Sequence, residues 1–353
     1  MRRFIIALSC GAACTALVPS ADAKPRAAVL TPQAIEQAAP RGAVARGHAT
    51  GEADPAIVKA EVLLDRAGFS PGAIDGYDGD NFKKALAAYQ AANGLEQSGR
   101  LDEATWSKLT AGADQPVLVA YEVTEADAAG PFVRKLPGRL EDMAKLPGLG
   151  YADAREELAE RFHMSGDLIG RLNRGADLAR PGTRIMVANV MPMRNPKPPE
   201  QKSATTGSVD AAHGARVATK VAVDKRERAV RAFDRDGALL AYFPASIGSA
   251  EKPAPSGSFK VTRVSYDPIY HYNPEFAFKG VKARHRFEVK PGPNNPVGLV
   301  WIDLSAPSYG IHGTPNPDAI SKTQSHGCVR LTNWDALALA GMVRRGTVVE
   351  FGN

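Results

Sequence analysis

The segment that most constrains the fold is residues 191–217, which contain Pro, Lys, Ser, Thr and Gly but few large apolar side chains. Because such a composition cannot build a packed core, it favours an extended or flexible linker. Before the linker, apolar residues recur at helical spacing; after it, they alternate or form short runs typical of strands. A chain of 353 residues is long enough for two or three domains. We therefore predict a multidomain protein with a mostly β C-terminal domain, sandwich-like or barrel-like, over residues 218–353.

Two smaller units are predicted before the linker. Residues 55–112 contain three helical stretches separated by turn residues, which indicates a small three-helix domain. Residues 116–190 contain two short helical stretches and then a Pro-Gly-Thr turn with a strand, and Tyr121 lies in a candidate first strand. On the first of these helices, over residues 153–162, Glu160 is predicted to face outward. This order indicates a small α+β module.

The N-terminus has the features of a secretory signal. Arg2 and Arg3 precede an apolar stretch over residues 4–18, and Ala-Asp-Ala at 21–23 forms an A-x-A cleavage site. The stretch is too short to span a bilayer. We therefore expect residues 1–23 to be removed, the protein to be exported to the periplasm or cell wall, and no stable membrane insertion afterwards. Residues 24–54, rich in Ala, Gly and Pro, are predicted to be a flexible lead-in.

The cysteines point to reactive chemistry. The chain has three, and Cys10 and Cys14 lie in the predicted signal, where a poor lipobox match argues against a lipid anchor. The mature protein would keep Cys328, and a single thiol in an exported protein is either an intermolecular partner or a reactive group. Cys328 stands in Ser-His-Gly-Cys-Val-Arg at 325–330, and His312 stands upstream in Gly-Ile-His-Gly-Thr. A thiol with a histidine able to take its proton is the basic unit of cysteine nucleophilic catalysis.

These residues resemble the signature of the L,D-transpeptidase catalytic domain of the YkuD type. The signature joins His312-Gly313 to the Ser-His-Gly-Cys-Val-Arg string, and it is far more specific than a bare Cys/His pair. Two further marks agree: residues 253–261 resemble the strand entry of the family, and Asn-Pro-Val-Gly at 295–298 resembles its turn. The resemblance covers residues 218–353.

The resemblance implies a role for each residue of the signature. Cys328 is the nucleophile, and the imidazole of His312 is oriented by the carbonyl of Gly313. His312 either forms a thiolate–imidazolium pair with Cys328 or removes its proton on attack. The amides of Gly327 and Cys328 form a candidate oxyanion hole. The other residues predicted to shape or line the site are Ser325, His326, Arg330 and Tyr309.

Alternatives remain for several of these residues. His326 could be a hydrogen-bonded structural histidine and Tyr309 a core residue, while the Arg330 guanidinium fits either a substrate carboxylate or a loop contact. His312, His326 and Cys328 could also be three zinc ligands, but no supporting carboxylate accompanies them in the sequence. We therefore predict no metal and no cofactor.

The resemblance also implies a substrate and a reaction. Cys328 attacks the carbonyl of the third residue, a diamino acid, in a peptidoglycan tetrapeptide stem, and D-Ala leaves. The side-chain amine of another stem then resolves the thioester into a 3→3 cross-link. Water as acceptor would make the protein an L,D-carboxypeptidase, and a lysine of an envelope protein would make it a protein-to-peptidoglycan ligase. From another class, the chain could be a non-catalytic wall-binding protein.

The three-helix unit resembles a peptidoglycan-binding domain. One departure is Asn81-Phe82, where that family usually has a threonine opening the second helix. Tyr89 and Trp106 could instead be simple core aromatics. The residues that carry the resemblance are Leu64, Gly68, Asp75, Gly76, Tyr89, Gln90, Gly94, Leu95, Gly99, Thr105 and Trp106.

The middle module resembles the second half of a LysM wall-binding module, through its order of helix, helix, Asn-x-Gly, Pro-Gly-Thr and strand. A small α+β spacer is the alternative. The net charge of +6 is consistent with weak affinity for an anionic polymer such as the cell wall. Because there is no concentrated basic stripe, nucleic-acid binding is not expected.

Within the C-terminal domain, Asp-Arg-Asp-Gly at 234–237 predicts a hairpin between two strand runs, over residues 220–233 and 239–243. Residues 333–343 predict a helix capped by Asn333. The long stretch between Tyr266 and Asn295 predicts a lid or substrate wall, with surface padding as the alternative. Its aromatic and basic side chains are Tyr270, His271, Tyr272, Phe276, Phe278, Arg284 and His285.

Overall fold

The computed structural model describes residues 30–40, 53–194, 217–248, 252–276, 283–323 and 327–352. The predicted signal at 1–23, most of the linker, and Ser325 and His326 lie outside the described residues. No helix in the described part of the chain is long and apolar enough to cross a membrane.

Part of the predicted lead-in is ordered, which differs from the flexible segment expected there. Helix α1 spans Pro32–Glu36, and its Ile35 is fully buried. Lys59 Nζ donates a 2.7 Å hydrogen bond to the carbonyl of Glu36, and the Leu118 N–H donates to the Glu36 carboxylate at 2.8 Å. One buried apolar side chain and two hydrogen bonds therefore hold this short helix against the following units.

The predicted three-helix unit is present as α2 (Pro55–Arg66), α3 (Asp80–Ala92) and α4 (Glu103–Thr110). The carboxylates of Asp54 and Asp102 cap α2 and α4 by accepting backbone N–H groups, at 2.7 and 2.8 Å. The apolar faces of the helices pack into one core, as their spacing predicted.

Buried polar contacts explain several residues of the helical motif. The Gln90 side chain accepts from the Gly99 N–H at 2.9 Å and donates to Thr105 Oγ1 at 2.8 Å. Tyr89 and Trp106 are 7% and 8% exposed, so they are core aromatics. In this structure these motif residues therefore stabilise the helical unit from within.

The middle module contains the predicted α+β order, with two additional helices between its first strand and the first predicted helix. Its strands pair antiparallel, with Tyr121 opposite Ile185. The resemblance of the module to LysM stays a prediction. The elements are β1 (Leu118–Glu122), α5 (Glu125–Ala129), α6 (Leu140–Met143), α7 (Ala154–Arg161), α8 (Gly166–Leu172) and β2 (Arg184–Ala188).

The C-terminal domain is mostly β, as predicted, with one long helix. Short 3-10 helices occupy Pro274–Phe276 and Pro317–Ala319. The remaining elements are β3 (Lys220–Asp224), β4 (Ala229–Phe233), β5 (Leu239–Pro244), β6 (Ser246–Ile247), β7 (Gly257–Tyr266), β8 (Tyr270–Tyr272), β9 (Phe287–Val289), β10 (Val300–Leu304), β11 (Gly310–His312), β12 (Val329–Arg330), α9 (Asn333–Met342) and β13 (Val348–Gly352).

The main sheet is nearly closed. Its strand order is β5-β4-β3-β13-β7-β10-β11-β12-β6. Strands β5 and β6 occupy opposite edges, yet only Ala245 separates them in the chain, so the two edges must lie side by side. This curvature encloses an apolar core and gives the barrel-like domain predicted from the sequence. A separate pair, β8 with β9, lies in the stretch predicted to be a lid or wall.

The start of α9 differs from the expected cap. The N-cap is Thr332, whose hydroxyl accepts from the Asp335 N–H at 3.1 Å, and Asn333 is the first helical residue. Thr and Asn both suit an N-cap, and the sequence alone does not decide between neighbours. Asn333 is instead fully buried, where its amide makes tertiary contacts.

Backbone hydrogen bonds join the three units. The Tyr242 N–H of β5 donates to Gly68 and the Ser70 N–H donates to Tyr242, both at 2.9 Å. The Ile74 N–H donates to His163 of the middle module at 2.8 Å. The loop after α2 therefore contacts both the middle module and the C-terminal domain.

Candidate active site

Two parallel strands position the histidine and the cysteine of the motif. Strands β11 and β12 pair in parallel, with Ile311 opposite Val329 and His312 opposite Arg330. Paired residues of neighbouring strands point to the same face, and so do residues two apart along one strand. Cys328 directly precedes β12, so its side chain is expected on the same face as those of His312 and Arg330.

The backbone fixes the tautomer of His312. Its imidazole is buried, with 4% exposed, and Nδ1 lies 2.7 Å from the carbonyl oxygen of Gly313. Because a carbonyl only accepts, Nδ1 must carry the proton and donate. Nε2 is then the basic nitrogen of the neutral ring. The Gly313 carbonyl therefore holds the imidazole in the tautomer whose Nε2 can accept a proton.

Burial favours the uncharged forms of both groups. It lowers the pKa of His312 to about 3, with the positive charge of Arg330 adding to the effect and the Gly313 carbonyl opposing it. Burial also raises the pKa of the Cys328 thiol, against the lowering effects of the Gly310 N–H and of Arg330. The resting pair at neutral pH is therefore a thiol and a neutral imidazole, and the alternative of a preformed thiolate–imidazolium pair is not favoured.

The turn before the cysteine adopts a backbone conformation that favours glycine. Gly327 has φ +117, which a side chain disfavours, although an added Cβ would find its nearest neighbour, Tyr309, at 3.7 Å. The Tyr309 hydroxyl donates to the carbonyl of Pro253 at 3.1 Å. Tyr309 thus lies against the turn that presents Cys328, and Cys328 Sγ lies 3.8 Å from the carbonyl oxygen of Ser308.

Arg330 and Tyr270 share the surroundings of the thiol. Burial lowers the pKa of the Arg330 guanidinium, while Cys328 and Tyr270 oppose that change. Burial is also the main cause that raises the pKa of the Tyr270 phenol to about 12, with Cys328 adding to it. Strand β8 therefore brings one aromatic residue of the predicted lid stretch close to the thiol.

Two residues of the site were not predicted. Trp301 lies opposite His312 across β10 and β11, and the two rings stack with centroids 5.3 Å apart and planes 17° apart. Asn333 Oδ1 lies against the backbones of Gly298 and Gly313, where an added Cβ on either glycine would collide with it. Trp301 reaches the site through strand register, and Asn333 reaches it through a tertiary contact. Neither feature leaves a local signal in the sequence.

The structure brings together six of the eight predicted site residues; the other two, Ser325 and His326, lie outside the described residues. In the described part of the chain, no group of three or more His, Cys, Asp or Glu side chains is arranged to hold a metal ion. The zinc alternative also needs His326. The six that cluster are Tyr309, His312, Gly313, Gly327, Cys328 and Arg330.

The comparisons with known proteins agree with the motifs. Residues 218–351 match the family model of the L,D-transpeptidase catalytic domain. Residues 53–109 match the family model described as "Putative peptidoglycan binding domain". The chain therefore carries the two kinds of domain that the sequence signatures indicated.

Part of the chain is similar to curated proteins named as putative L,D-transpeptidases. "Putative L,D-transpeptidase YkuD" of Bacillus licheniformis is 32% identical over 131 residues, which cover 37% of this chain and 64% of the relative. The protein of that name in Bacillus subtilis is 49% identical over 57 residues, covering 16% of this chain and 35% of the relative. The chain thus spans less than two thirds of the length of these relatives.

Among solved structures, an L,D-transpeptidase from Mycobacterium smegmatis aligns with 18% identity and a TM-score of 0.32, over 38% of this chain and 58% of the other. The strand order of the main sheet is what identifies the C-terminal domain as barrel-like. The barrel-like domain is thus the part that matches the model of the L,D-transpeptidase catalytic domain, and the three-helix unit before it is the part that matches the model of a putative peptidoglycan binding domain.

Proposed function

We propose that this chain is a peptidoglycan L,D-transpeptidase that forms 3→3 cross-links through a thioester on Cys328. The observation that carries the proposal is the parallel β11–β12 register, in which His312 pairs with Arg330 and Cys328 directly precedes β12, together with the Nδ1 contact that leaves Nε2 basic. The match of residues 218–351 to the L,D-transpeptidase catalytic domain supports the reaction class.

In the acylation step, Cys328 Sγ attacks the carbonyl carbon of the third residue, a diamino acid, in a tetrapeptide stem. The thiol proton moves to His312 Nε2 as the S–C bond forms, because both groups are neutral at rest. The imidazolium then gives this proton to the amine of the terminal D-Ala, which leaves as the C–N bond breaks. The product is a thioester and a neutral imidazole.

The negative charge that develops in this step needs compensation. The amides of Gly327 and Cys328 are the proposed oxyanion donors, and the positive φ of Gly327 supports a tight approach of this backbone to the substrate. The buried guanidinium of Arg330 lowers the pKa of the thiol and would also stabilise negative charge on the substrate. Ser325 and His326 keep their predicted site-shaping roles as proposals.

In the second step, an acceptor nucleophile attacks the thioester carbonyl and loses a proton to His312 Nε2, and Cys328 leaves and recovers its proton from the ring. An amine of another stem gives the cross-link. Water would give a tripeptide, and a lysine of an envelope protein would give a protein bound to the wall. These acceptors need the same nucleophile, so they are variants of one mechanism.

The location and partners follow from the same proposal. A substrate in the cell wall requires export, which fits the predicted signal at residues 1–23 and a periplasmic or wall location. The match of residues 53–109 to a peptidoglycan-binding domain supports contact with peptidoglycan stems and glycan. No cofactor enters either step.

Product analysis tests the proposal. Purified disaccharide-tetrapeptides are incubated with the full chain or with Cys328→Ala, and the products are identified by mass spectrometry. We expect dimers that lack one D-Ala with the unchanged chain and none with Cys328→Ala. Tripeptide alone would identify a carboxypeptidase, and no product, with sacculus binding retained, would favour the non-catalytic wall-binding alternative.

A further inference from the structure

Asn333 contacts the backbone that orients the proposed base. Its side chain is fully buried at the start of α9, and Oδ1 accepts from the Leu299 N–H at 3.1 Å. The same oxygen faces Gly313, close enough that an added Cβ there would collide with it. Because the Gly313 carbonyl accepts from His312 Nδ1, Asn333 supports the peptide that holds the imidazole.

The other end of this amide reaches into a different domain. Asn333 Nδ2 donates to Glu160 Oε2 at 2.9 Å and to the carbonyl of Pro293 at 3.2 Å. Glu160 belongs to α7 of the middle module and is 2% exposed, although its position on the helix predicted an outward side chain. The expectation was wrong because the C-terminal domain covers that face of α7.

The partners of the amide allow one orientation. Rotating the amide by half a turn would exchange its oxygen and nitrogen. The oxygen would then face the carbonyl oxygen of Pro293 and the nitrogen would face the Leu299 N–H, so both of these hydrogen bonds and the one that Glu160 Oε2 now accepts would be lost. A buried polar group without a partner costs about 1–3 kcal/mol, and Glu160 therefore helps to select the orientation that presents Oδ1 to Gly313.

We propose that Glu160 of the middle module is a positioning residue for the reaction, which acts through Asn333 on the Gly313 carbonyl and hence on His312. This inference rests on the proposed role of His312 as base. It makes the middle module part of the support for the active site, in addition to any role in wall binding.

Other contacts dock the middle module without Glu160. His163 stacks on Trp334 with ring centroids 5.2 Å apart, and its Nδ1 lies 2.9 Å from Asp65 Oδ2. The Leu149 N–H donates to the carbonyl of Pro291 at 2.8 Å. Replacing one carboxylate should therefore leave the domains docked while it releases the Asn333 amide.

The test compares Glu160→Met with Glu160→Gln in the full chain. Met has a similar length but offers only a weak acceptor, whereas Gln keeps a carbonyl oxygen for Asn333. Glu157→Leu is the matched control, because Glu157 lies on the same helix and pairs with Arg161 inside the middle module. Thermal unfolding gives the folded fraction of each variant, and Glu160→Leu replaces the Met variant if that one does not fold.

Two readouts avoid any need for peptidoglycan. The first is the alkylation rate of Cys328 by iodoacetamide at neutral pH, followed by mass spectrometry of the peptide that contains it and normalised to folded protein. The second is the ¹⁵N NMR signature of the His312 tautomer. Because small misplacements of catalytic groups can reduce rates up to about 100-fold, we expect Glu160→Met to slow alkylation by about 5- to 50-fold and to weaken the Nδ1–H signature. Glu160→Gln should stay within about twofold of the unchanged chain, as should Glu157→Leu.

Three results would overturn the inference: an unchanged rate in Glu160→Met, an equal loss in the Met and Gln variants, or an equal loss in the Glu157 control. His312→Ala separates this failure from failure of the proposed function. If His312→Ala does not slow alkylation, the assignment of His312 as base is wrong. If it does and Glu160→Met does not, only the role of Glu160 is wrong.

Discussion

The indole of Trp301 covers one face of the His312 imidazole, with the ring planes 17° apart. The antiparallel register of β10 and β11 places the two residues directly opposite each other. This contact contributes to the burial that holds the pKa of His312 near 3. A neutral base beside a neutral thiol is the state from which the proposed proton transfer begins.

Replacing Trp301 with Leu should raise the pKa of His312 towards its ordinary value near 6.5, because it exposes the imidazolium form to water. The acid side of the pH–rate profile should move to higher pH in parallel. An NMR titration of the His312 ring measures the pKa directly. Trp301→Phe, which keeps an aromatic ring, should shift it less; equal titration of all three proteins would contradict the role of the stack.

Removing the charge of Arg330 should raise two pKa values together. Arg330 lowers the pKa of both Cys328 and His312, so Arg330→Gln should make the thiolate harder to form and the imidazolium easier. The pH dependence of Cys328 alkylation and an NMR titration of His312 report the two values. A downward shift of either value would show that another charge controls the site.

Gly313→Ala should damage the site through a collision. An added Cβ would meet Asn333 Oδ1, and relieving such overpacking costs about 1–3 kcal/mol of stability. The peptide that holds His312 would move, and we expect turnover to fall by at least about tenfold. Gly341→Ala is the matched control, because an added Cβ there meets nothing within 4 Å. Chemical unfolding and turnover assays of both variants test this difference.

Glu160 should make stability depend on pH. Burial raises its pKa to about 8 in the folded protein, from an ordinary value near 4.5 in the unfolded chain. The folded state therefore binds the extra proton between these values, and the free energy of unfolding should fall as pH rises from about 5 to about 8. Relative to Glu160→Gln, which cannot ionise, the loss should be on the order of 2–4 kcal/mol.

Unfolding of both proteins in denaturant at several pH values measures this difference. Other titrating groups are common to the two proteins, so their contributions cancel in the comparison. Parallel pH profiles for the unchanged chain and Glu160→Gln would show that the Glu160 carboxyl titrates normally in the folded state.

The sequence indicates candidate site residues where the chemistry is local. The Cys328 motif, His312-Gly313 and the turn at 295–298 each lie in a short string whose residue types are informative. The capping carboxylates of Asp102 and Asp153 were predictable for the same reason.

The parts that the sequence did not predict depend on long-range packing. The apolar pattern predicts one strand over residues 220–233, but these residues form the hairpin β3–β4. Arg228 takes a positive φ in its turn, where a glycine would have indicated the turn from the sequence. The pairing of Trp301 with His312 depends on sheet register. Glu160 and Asn333 look like surface and cap residues until two domains meet, so their burial follows from docking that no local pattern reports.

The most direct test of the central claim is to trap the acyl-enzyme. The full chain is mixed with disaccharide-tetrapeptide, quenched in acid and examined by intact and peptide-resolved mass spectrometry. We predict an adduct with the mass of the disaccharide-tripeptide acyl group, located on the peptide that contains Cys328 and released by hydroxylamine. Release of D-Ala with no adduct on that peptide, or with an adduct on another residue, would contradict the assignment of Cys328 as the nucleophile.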